Sequence, residues 1–326
     1  MDSCNGCTIS YKDFLAMDEE EVFAFLQRHG VVLKSKDCPN CSKPATLSFN
    51  AKRPISTPFW RCRRMISNHQ QKRKLRKVQC SFKESAIKRT FFSKSHVGIE
   101  QECNFVAWEM KGSTISFLRE ELGWSQQTVV DWSNFLREIY LSWTKKNAKQ
   151  IIGGYGLTVE IDETKIGRRK YNCGRVVDGQ WVFGGICRET GDFFLVPVED
   201  RSQETLLPII EANIANGTRI ISDCWKSYNG LKDANYSHMT VNHSVNFVDP
   251  ETGANTQRIK RLWRDLKENI PHYGRKTEHY QGYLARFTFL KRHPNHTSRF
   301  HAIFSAMGEL FNPERDESTD TDNEKE

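Results

Sequence analysis

The chain has 326 residues, with 48 Lys and Arg against 40 Asp and Glu and a formal net charge of +8. This length is enough for two or three domains of roughly 100–200 residues each. No apolar run approaches the roughly 20 residues of a membrane span, and the first residues, MDSCNGCTISYKDF, lack the basic and apolar regions of a signal peptide. These features argue against a membrane or secreted protein. The ten cysteines therefore indicate metal binding in a reducing compartment more than disulfides.

Charge is distributed unevenly along the chain. Residues 61–94 carry twelve Lys or Arg against one acid, Glu84, whereas residues 313–326 carry seven acids against two bases. A basic segment beside an acidic tail is typical of nucleic-acid binding, although solvated surface stretches would give the same charge runs. The basic residues expected to contact DNA here are Lys72, Arg73, Lys74, Arg76 and Lys77. The same run, KRKLRK, fits a localisation signal for the nucleus of a eukaryotic host, and a cytoplasmic location is expected otherwise.

Changes in composition and periodicity divide the chain into five segments. In the first, apolar residues at helical spacing predict one amphipathic helix over residues 11–30, stopped by Gly30. The last is polar and acidic without periodicity and is predicted to be disordered. The segments are 1–30, helical; 31–97, basic with cysteines; 105–150, helical; 155–311, strands followed by helices; and 312–326, the tail.

Four cysteines of the basic segment are candidates for a structural zinc site. Cys38 and Cys41 form a CxxC pair, and Cys62 and Cys80 follow at wider spacing. Tetrahedral zinc with four thiolates needs two such pairs brought together. Buried free cysteines would be an ordinary alternative. Cys4 and Cys7 form a second CxxC without nearby partners and stay unassigned.

The helical segment resembles a helix-turn-helix. STISFLREELG predicts one helix ending at Gly123, and a second helix follows, for which Ser125 is the expected N-cap. The first turn of this second helix contains Gln126, Gln127 and Thr128. In a helix-turn-helix this turn enters the major groove of DNA, where Gln reads adenine edges. A helical hairpin in a core would show the same pattern.

Two aspartates end hydrophobic, strand-like runs: Asp162 after LTVEI and Asp223 after TRIIS. Between them, QWVFGGICRE and DFFLVPV predict a strand pair that turns at Thr190 and Gly191, and SQETLLPIIEANI predicts a helix. Carboxylates at adjacent strand ends can hold Mg²⁺ ions for phosphoryl transfer, although Asp is also common at such turns. The basic residues near this pair that are expected to grip DNA phosphates, or simply to be solvated, are Lys165, Arg168, Arg169 and Lys267.

The sequence around the aspartates resembles a known family over residues 155–292. VEIDETKIGRRKYNCGR, QWVFGGICRETGDFFLVPVEDRSQETLLPII, TRIISDCWKSYNGL and VNHSVNFVDPETGANTQRIKRLWRDLK are similar to the Merlin-type DDE transposases, relatives of the ISXO-type bacterial insertion-sequence transposases. The resemblance implies an α/β, ribonuclease-H-like mixed sheet flanked by helices, preceded by a zinc-ribbon-like module and a helix-turn-helix. It implies nucleotidyl transfer with Mg²⁺ (or Mn²⁺) on double-stranded DNA at terminal inverted repeats, by a homo-oligomer with no small-molecule substrate. Asp162 and Asp223 are then the first two metal ligands.

The third ligand position departs from the family. A Glu usually stands three residues before the Trp of the last helix, and in this chain Lys260 stands three residues before Trp263. An ammonium group has three donors and no lone pair, so it cannot bind a metal. Our hypothesis is that Lys260 takes over part of the electrostatic role of the cation and that metal-dependent catalysis is lost. Asn255 and Thr256 are expected to cap this helix.

The alternative is an active transposase in which a neighbouring residue supplies the third ligand. Glu268 and Asp265 lie on the same predicted helix, about 80° and about 140° around it from Lys260. His243 offers an imidazole, which also binds metals.

Overall fold

The computed structural model describes residues 4–49, 57–68, 76–93, 95, 97–147, 151–167, 179–233, 235–241, 253–271 and 276–314. The chain forms two compact units. The first combines Met1–Ile139 with His293–Glu326, and the second is Tyr140–Arg292.

The first unit begins with two helices, α1 (Tyr11–Leu15) and α2 (Glu19–Arg28). The single helix expected over residues 11–30 is therefore wrong. Asp18 accepts a hydrogen bond from the Glu21 N–H, and the Glu21 carboxylate accepts one from the Asp18 N–H. This reciprocal capping box starts a new helix, because it satisfies N–H groups that a continuous helix would bond internally.

The cysteine-containing part of the first unit is built from short strands. A three-stranded antiparallel sheet has the order β1-β2-β5, and β3 and β4 form a separate antiparallel ribbon. The strands are β1 (Thr46–Ser48), β2 (Phe59–Arg61), β3 (Met65–Asn68), β4 (Arg76–Gln79) and β5 (Lys83–Ser85).

Three helices follow: α3 (Ile99–Lys111), α4 (Ile115–Leu122) and α5 (Gln126–Asn147). Gly123 ends α4 with φ +67°, a left-handed conformation that glycine adopts without a steric penalty. The Ser125 Oγ accepts a hydrogen bond from the Thr128 N–H at 3.1 Å, which confirms the expected N-cap of α5.

The second unit is a mixed α/β structure around a five-stranded sheet of order β10-β9-β6-β7-β8. Only β7 runs antiparallel to its neighbours. The expected hairpin is confirmed as β7–β8, with Gly191 at φ +78° in its turn. The strands are β6 (Thr158–Ile166), β7 (Gln180–Cys187), β8 (Phe193–Val198), β9 (Arg219–Asp223) and β10 (Ser237–Val241), and the helices are α6 (Gln203–Asn213), α7 (Gln257–Asn269) and α8 (Tyr280–Arg292).

Each face of this sheet is covered by its own apolar cluster. On one face, Val159 and Ile161 of β6 pack with residues of α6 and with Tyr228. On the other face, Ile166 of β6 packs with residues of α7 and α8. Because successive strand residues point to opposite faces, even-numbered residues of β6 face α7 and odd-numbered ones face away from it.

The final helix, α9 (Arg299–Leu310), belongs to the first unit. Phe300 stacks on Phe14 of α1 with ring centroids 4.3 Å apart, and Phe304 meets Phe25 of α2 edge-on at 5.3 Å. Among the described helices of both units, none is long and apolar enough to cross a membrane.

Candidate active site and metal-binding clusters

The two aspartates of the predicted site lie on neighbouring parallel strands. Glu160 of β6 pairs with Ile221 of β9, so two further residues along each strand bring Asp162 level with Asp223. Asp162 does not end its strand, as we expected it to, because β6 continues to Ile166 by pairing with β7. Asp223 does end β9, and its Oδ1 accepts the Trp225 N–H at 3.1 Å.

A buried glutamate of β6 positions α7 above the aspartates. The Glu160 side chain is fully buried, and its Oε2 accepts the Ile259 N–H in the first turn of α7 at 3.0 Å. The Arg188 Nε donates to the other carboxylate oxygen at 2.7 Å, and Arg188 also donates to the Asn255 carbonyl. A carboxylate at a helix N-terminus bonds unsatisfied N–H groups and complements the helix dipole.

This contact replaces the cap expected from the sequence. Thr256 occupies the N-cap position but makes no side-chain capping hydrogen bond, while the Asn255 Oδ1 accepts the Gln257 N–H only at 3.4 Å. Sequence reasoning missed Glu160, although an acid at an otherwise apolar position of VEID, two residues before Asp162 and so on the same face, was an available signal.

Trp263 of α7 lies directly against the first aspartate. Its Nε1–H donates to the Asp162 Oδ2 at 3.1 Å. Gly184 of β7 pairs with Asp162, and a Cβ at Gly184 would lie 2.7 Å from the Trp263 ring. A glycine at this position therefore lets the indole ring approach the sheet closely enough to reach the carboxylate.

The acidic groups at the site have perturbed protonation. Burial, with the neighbouring Asp223 carboxylate as the second cause, raises the pKa of Asp162 to about 6, against smaller opposing effects of Trp263 and Lys260. Burial raises the pKa of Glu163 to about 7, and the charges of Asp162 and Asp223 add to this increase. Because the carboxylates repel one another and are partly removed from solvent, a nearby cation stabilises their ionised forms.

The chain itself brings lysines of α7 to this place. A cavity of about 500 Å³ lies between β6 and α7. Its lining residues are Asp162, Glu163, Thr164, Lys260, Trp263, Arg264, Lys267 and Glu268. Lys260 and Lys267 both interact electrostatically with Asp162, so α7 presents ammonium groups to the aspartate where the family resemblance implied a carboxylate.

The expected substitute ligands lie in different surroundings. Asp265 forms an ion pair with Lys291 at 2.7 Å and does not line the cavity. Glu268 lines the cavity, but its side chain is 69% exposed and lies 4.0 Å from the Arg264 guanidinium. His243 lies outside the described residues.

Glu163 is a carboxylate that sequence reasoning overlooked. It follows Asp162 directly, so strand alternation turns its side chain toward the opposite face of the sheet from Asp162. On that face it lies near Arg201 and the buried Tyr228. Glu163 is therefore poorly placed to share a metal ion with Asp162 on the α7 side.

The basic residues predicted to grip phosphates are only partly described. The Lys165 ammonium lies over the Trp181 ring, 5.6 Å from its centroid, and Lys267 lines the cavity. Arg168 and Arg169 lie outside the described residues.

The four cysteines of the first unit converge. The Sγ atoms of Cys38 and Cys80 are 3.5 Å apart, and those of Cys41 and Cys62 are 3.7 Å apart. Three of the four ligand atoms, from Cys38, Cys41 and Cys62, lie within 4.8 Å of one another. A tetrahedral ion with metal–sulfur distances of about 2.3 Å separates its sulfurs by about 3.8 Å. The arrangement therefore has the size of a tetrahedral thiolate site.

Backbone groups next to these cysteines favour their ionised forms. Hydrogen bonds from the backbone of Lys43 and of Phe82 lower the pKa of Cys41 and of Cys80, the latter to about 7. Burial raises the pKa of Cys38 to about 11, so this thiol ionises only with a compensating cation.

Of the three predicted DNA-reading residues on α5, the two glutamines are exposed and Thr128 is half-buried. Gln126 and Gln127 are exposed at the start of α5, and the Gln127 Nε2 donates to Asp131 at 2.7 Å. Lys77 is exposed on β4, the strand that also contains Arg76. The other basic residues of that run, Lys72, Arg73 and Lys74, lie outside the described part of the chain.

Residues 152–291 match the family model described as the ISXO2-like transposase domain, and this match lies wholly within the second unit. This part of the chain is therefore similar to the transposases of that family. One curated relative is an uncharacterized transposase-like protein of Haemophilus influenzae, 29% identical over 92 residues, which cover 28% of this chain and 73% of the relative.

Among solved structures, the chain shows partial similarity to integrases and transposases. The catalytic core domain of BIV integrase is 13% identical, with a TM-score of 0.29, over 40% of this chain and 82% of that chain. The pre-cleavage Mos1 transpososome is 12% identical, with a TM-score of 0.18, over 64% of this chain and 78% of that chain.

Proposed function

We propose that this protein is a transposase-derived DNA-binding protein of the Merlin type whose DDE site does not cut DNA. The supporting framework is a ribonuclease-H-like domain. If the strands of this sheet are numbered 1 to 5 along the chain from β6, their order across the sheet is 3-2-1-4-5, and strand 2 alone is antiparallel. Asp162 and Asp223 lie on the neighbouring parallel strands 1 and 4.

One observation carries the loss of catalysis: Lys260 lines the cavity beside Asp162 at the position of the third acid. Mg²⁺ takes oxygen ligands in near-octahedral geometry. An ammonium group supplies no lone pair and repels a divalent ion. The residues present therefore do not fit the full metal site, and the lysine itself offsets part of the charge of the aspartates.

The neighbouring carboxylates do not repair this set. Asp265 is paired with Lys291, and Glu268 is exposed beside Arg264. Glu163 lines the cavity, but strand alternation turns its side chain away from that of Asp162. A metal site built on Glu268 would need a rotation of α7. Two hydrogen bonds from α7 to β6 oppose it: the Ile259 N–H donates to Glu160, and the Trp263 indole N–H donates to Asp162.

DNA binding is assigned to the first unit. The supporting features are the exposed first turn of α5 behind the Gly123 turn and the basic residues around the β3–β4 ribbon. We assign structural zinc to Cys38, Cys41, Cys62 and Cys80, whose spacing suits it. A nuclear location in a eukaryotic host follows from the basic run 72–77.

The test combines DNA cleavage with DNA binding. The full chain is incubated with supercoiled plasmid in Mg²⁺ or Mn²⁺, and its binding to a 30-bp duplex is measured in parallel. We expect micromolar or tighter binding and no nicking. Nicking by the wild-type chain that Asp162→Ala abolishes would overturn the proposal and favour the active transposase with Glu268 as third ligand, in which case Glu268→Gln must also abolish it.

Replacement of Lys260 adds a direct measurement of the metal site. Lys260→Glu restores a third carboxylate, and we expect at least a tenfold increase in Mn²⁺ affinity by calorimetry. Lys260→Gln removes the charge without adding an ionised ligand, so it separates relief of repulsion from gain of coordination. Equal Mn²⁺ affinity in the wild type and Lys260→Glu would contradict the assigned role of this position.

A further inference from the structure

Four metal-ligating side chains outside the sites described above meet in the first unit. Cys4 and Cys7 come from the segment before α1, His29 follows α2, and His301 lies in the first turn of α9. One ligand atom from each residue lies within 4.8 Å of all the others. The sequence pattern left the Cys4–Cys7 pair without partners, because one of the partners lies almost 300 residues away.

The distances suit a small tetrahedral ion. The Cys7 Sγ lies 3.4 Å from the His29 Nε2. With metal–sulfur distances of about 2.3 Å and metal–nitrogen distances of about 2.0–2.1 Å, a tetrahedral site separates sulfur from nitrogen by about 3.6 Å. The contact also fits a weak hydrogen bond to sulfur, so the other two ligands decide between the two interpretations.

His29 is oriented as a ligand. Its Nδ1 lies 2.8 Å from the Phe25 carbonyl oxygen, which accepts a hydrogen bond from the ring N–H. This contact fixes the tautomer and leaves the lone pair on Nε2, the nitrogen that faces Cys7. A second hydrogen bond of this kind accompanies almost every metal-bound histidine. The ring is buried, which favours the neutral form that binds metals.

His301 contributes a nitrogen that is otherwise unsatisfied. Its ring centroid is 5.3 Å from that of His29, and its Nδ1 is buried without a hydrogen-bond partner among the described residues. Leaving a buried polar atom unpaired is unfavourable, so such atoms call for a partner such as water or an ion.

The backbone holds these side chains together independently of any ion. The Cys4 N–H donates to the Arg28 carbonyl at 3.0 Å, beside His29. The Ile9 N–H donates to the Thr297 carbonyl at 3.0 Å, just before α9. A Cβ at Gly308 would lie 2.6 Å from the His29 carbonyl oxygen, so α9 packs closely against the end of α2.

From these contacts we propose that Cys4, Cys7, His29 and His301 form a second structural zinc site. Two thiolates and two imidazoles are a common ligand set of tetrahedral Zn²⁺, and all four positions are filled by protein, as in structural rather than catalytic sites. The ion ties the N-terminal segment, the end of α2 and α9 to one another. It thereby holds the last part of the chain within the first unit.

This site is separate from the cysteine cluster around Cys38 and from the aspartates, so it does not depend on the proposed function. A bound ion stabilises the folded state by its binding free energy, because the unfolded chain has no preformed site.

The test measures metal in the intact, reduced full chain. We expect about two zinc ions per wild-type chain by mass spectrometry of the metal. Cys7→Ser and His301→Asn should each retain about one ion, and Cys38→Ser should also retain about one. Cys224→Ser, at an exposed cysteine, and His296→Gln, at an exposed histidine next to α9, are the matched controls and should keep both.

X-ray absorption of the wild-type chain keeps the proposal testable even where a variant fails to fold. Two sites, one with four sulfurs and one with two sulfurs and two nitrogens, give an average of about three sulfurs and one nitrogen per zinc. One zinc per wild-type chain with sulfur ligands alone would overturn the proposal and leave the Cys38 cluster intact. A disulfide between Cys4 and Cys7 that persists in the presence of reductant would overturn the proposal as well.

Discussion

At the scale of single residues, the chemistry turns on how the charge of Asp162 is balanced. The aspartate is held between a neighbouring carboxylate and an ammonium group, and its pKa of about 6 means that repulsion and burial outweigh the lysine. Lys260 therefore reduces the unfavourable free energy of ionising Asp162 beside Asp223 but does not cancel it. At neutral pH the ionised aspartate, which the lysine compensates only in part, destabilises the folded state.

We expect Asp162→Asn to stabilise the second unit above pH 6. Because the folded-state pKa is raised from 3.8 to about 6, the folded state binds more protons than the unfolded state between these values. Stability therefore falls as the pH rises through this window and stays lower above it. Asp162→Asn removes this loss, which amounts to about 3 kcal/mol at most.

Urea unfolding at pH 4, 5, 6 and 7 checks this expectation. Glu268→Gln, at an exposed carboxylate of the same cavity, is the control and should retain the wild-type pH dependence. An unchanged pH profile in Asp162→Asn would mean that the carboxylate is already compensated in the folded protein.

The sequence allowed the two aspartates and the lysine of the candidate site to be proposed, but not the residues that position them. Asp162, Asp223 and Lys260 belong to blocks of sequence that resemble a family and are recognisable one by one. Glu160 and Gly184 matter because of which atoms lie opposite them, the Ile259 N–H and the Trp263 ring. That information depends on the sheet register, which the pattern of apolar residues does not give for a strand buried on both faces.

At the scale of elements, α7 depends on a side chain from the sheet. The helix starts without a side-chain cap of its own, and Glu160 bonds its first turn while Arg188 balances the charge. We expect Glu160→Ala to lower the free energy of unfolding by about 3–5 kcal/mol, because Arg188 then remains partly buried without its partner. Denaturant unfolding of the second unit measures this loss.

Variants of Arg188 and of an exposed control residue distinguish loss of the Glu160–Arg188 contact from a general sensitivity to substitution. Arg188→Ala should destabilise strongly, and the double variant should lose less than the sum of the single losses. Glu268→Ala removes a carboxylate from the exposed pair with Arg264, which contributes about 0–1 kcal/mol. Additive losses for Glu160 and Arg188 would contradict the coupling.

The α4–α5 pair carries the prediction about sequence reading. If α5 enters the major groove, Gln126→Ala should lower affinity for a duplex selected from a random pool by about 1–3 kcal/mol, while affinity for a scrambled duplex stays unchanged. Glu121→Gln, on the exposed side of α4, serves as the control. Equal losses on both duplexes would mean that Gln126 contributes no base recognition.

At the scale of the whole molecule, most local elements could be predicted, whereas the grouping of distant segments could not. Periodicity and caps indicate helices and strands because those signals are local, as Ser125 and Gly123 illustrate. Residues from His293 onward follow the second unit in sequence but group with the N-terminal part of the chain in the first unit. Stacking of Phe300 on Phe14 is specified by shape complementarity between distant segments, and no periodicity reports it.

The distribution of charge over the whole chain leads to the last prediction. The excess of positive charge is concentrated in residues 61–94, whose members Arg63, Lys77 and Lys83 are exposed. Each phosphate contact releases counterions, so the logarithm of the binding constant should fall linearly with the logarithm of salt concentration, with a slope of about −0.9 per contact.

We expect Lys77→Ala to weaken binding to every duplex by a similar factor and to reduce this slope by about 1. Lys12→Ala, at an exposed lysine of α1, should leave the slope unchanged. Filter binding between about 50 and 200 mM salt covers the range in which the effect is large, and an equal slope in the wild type and Lys77→Ala would place the DNA on another surface.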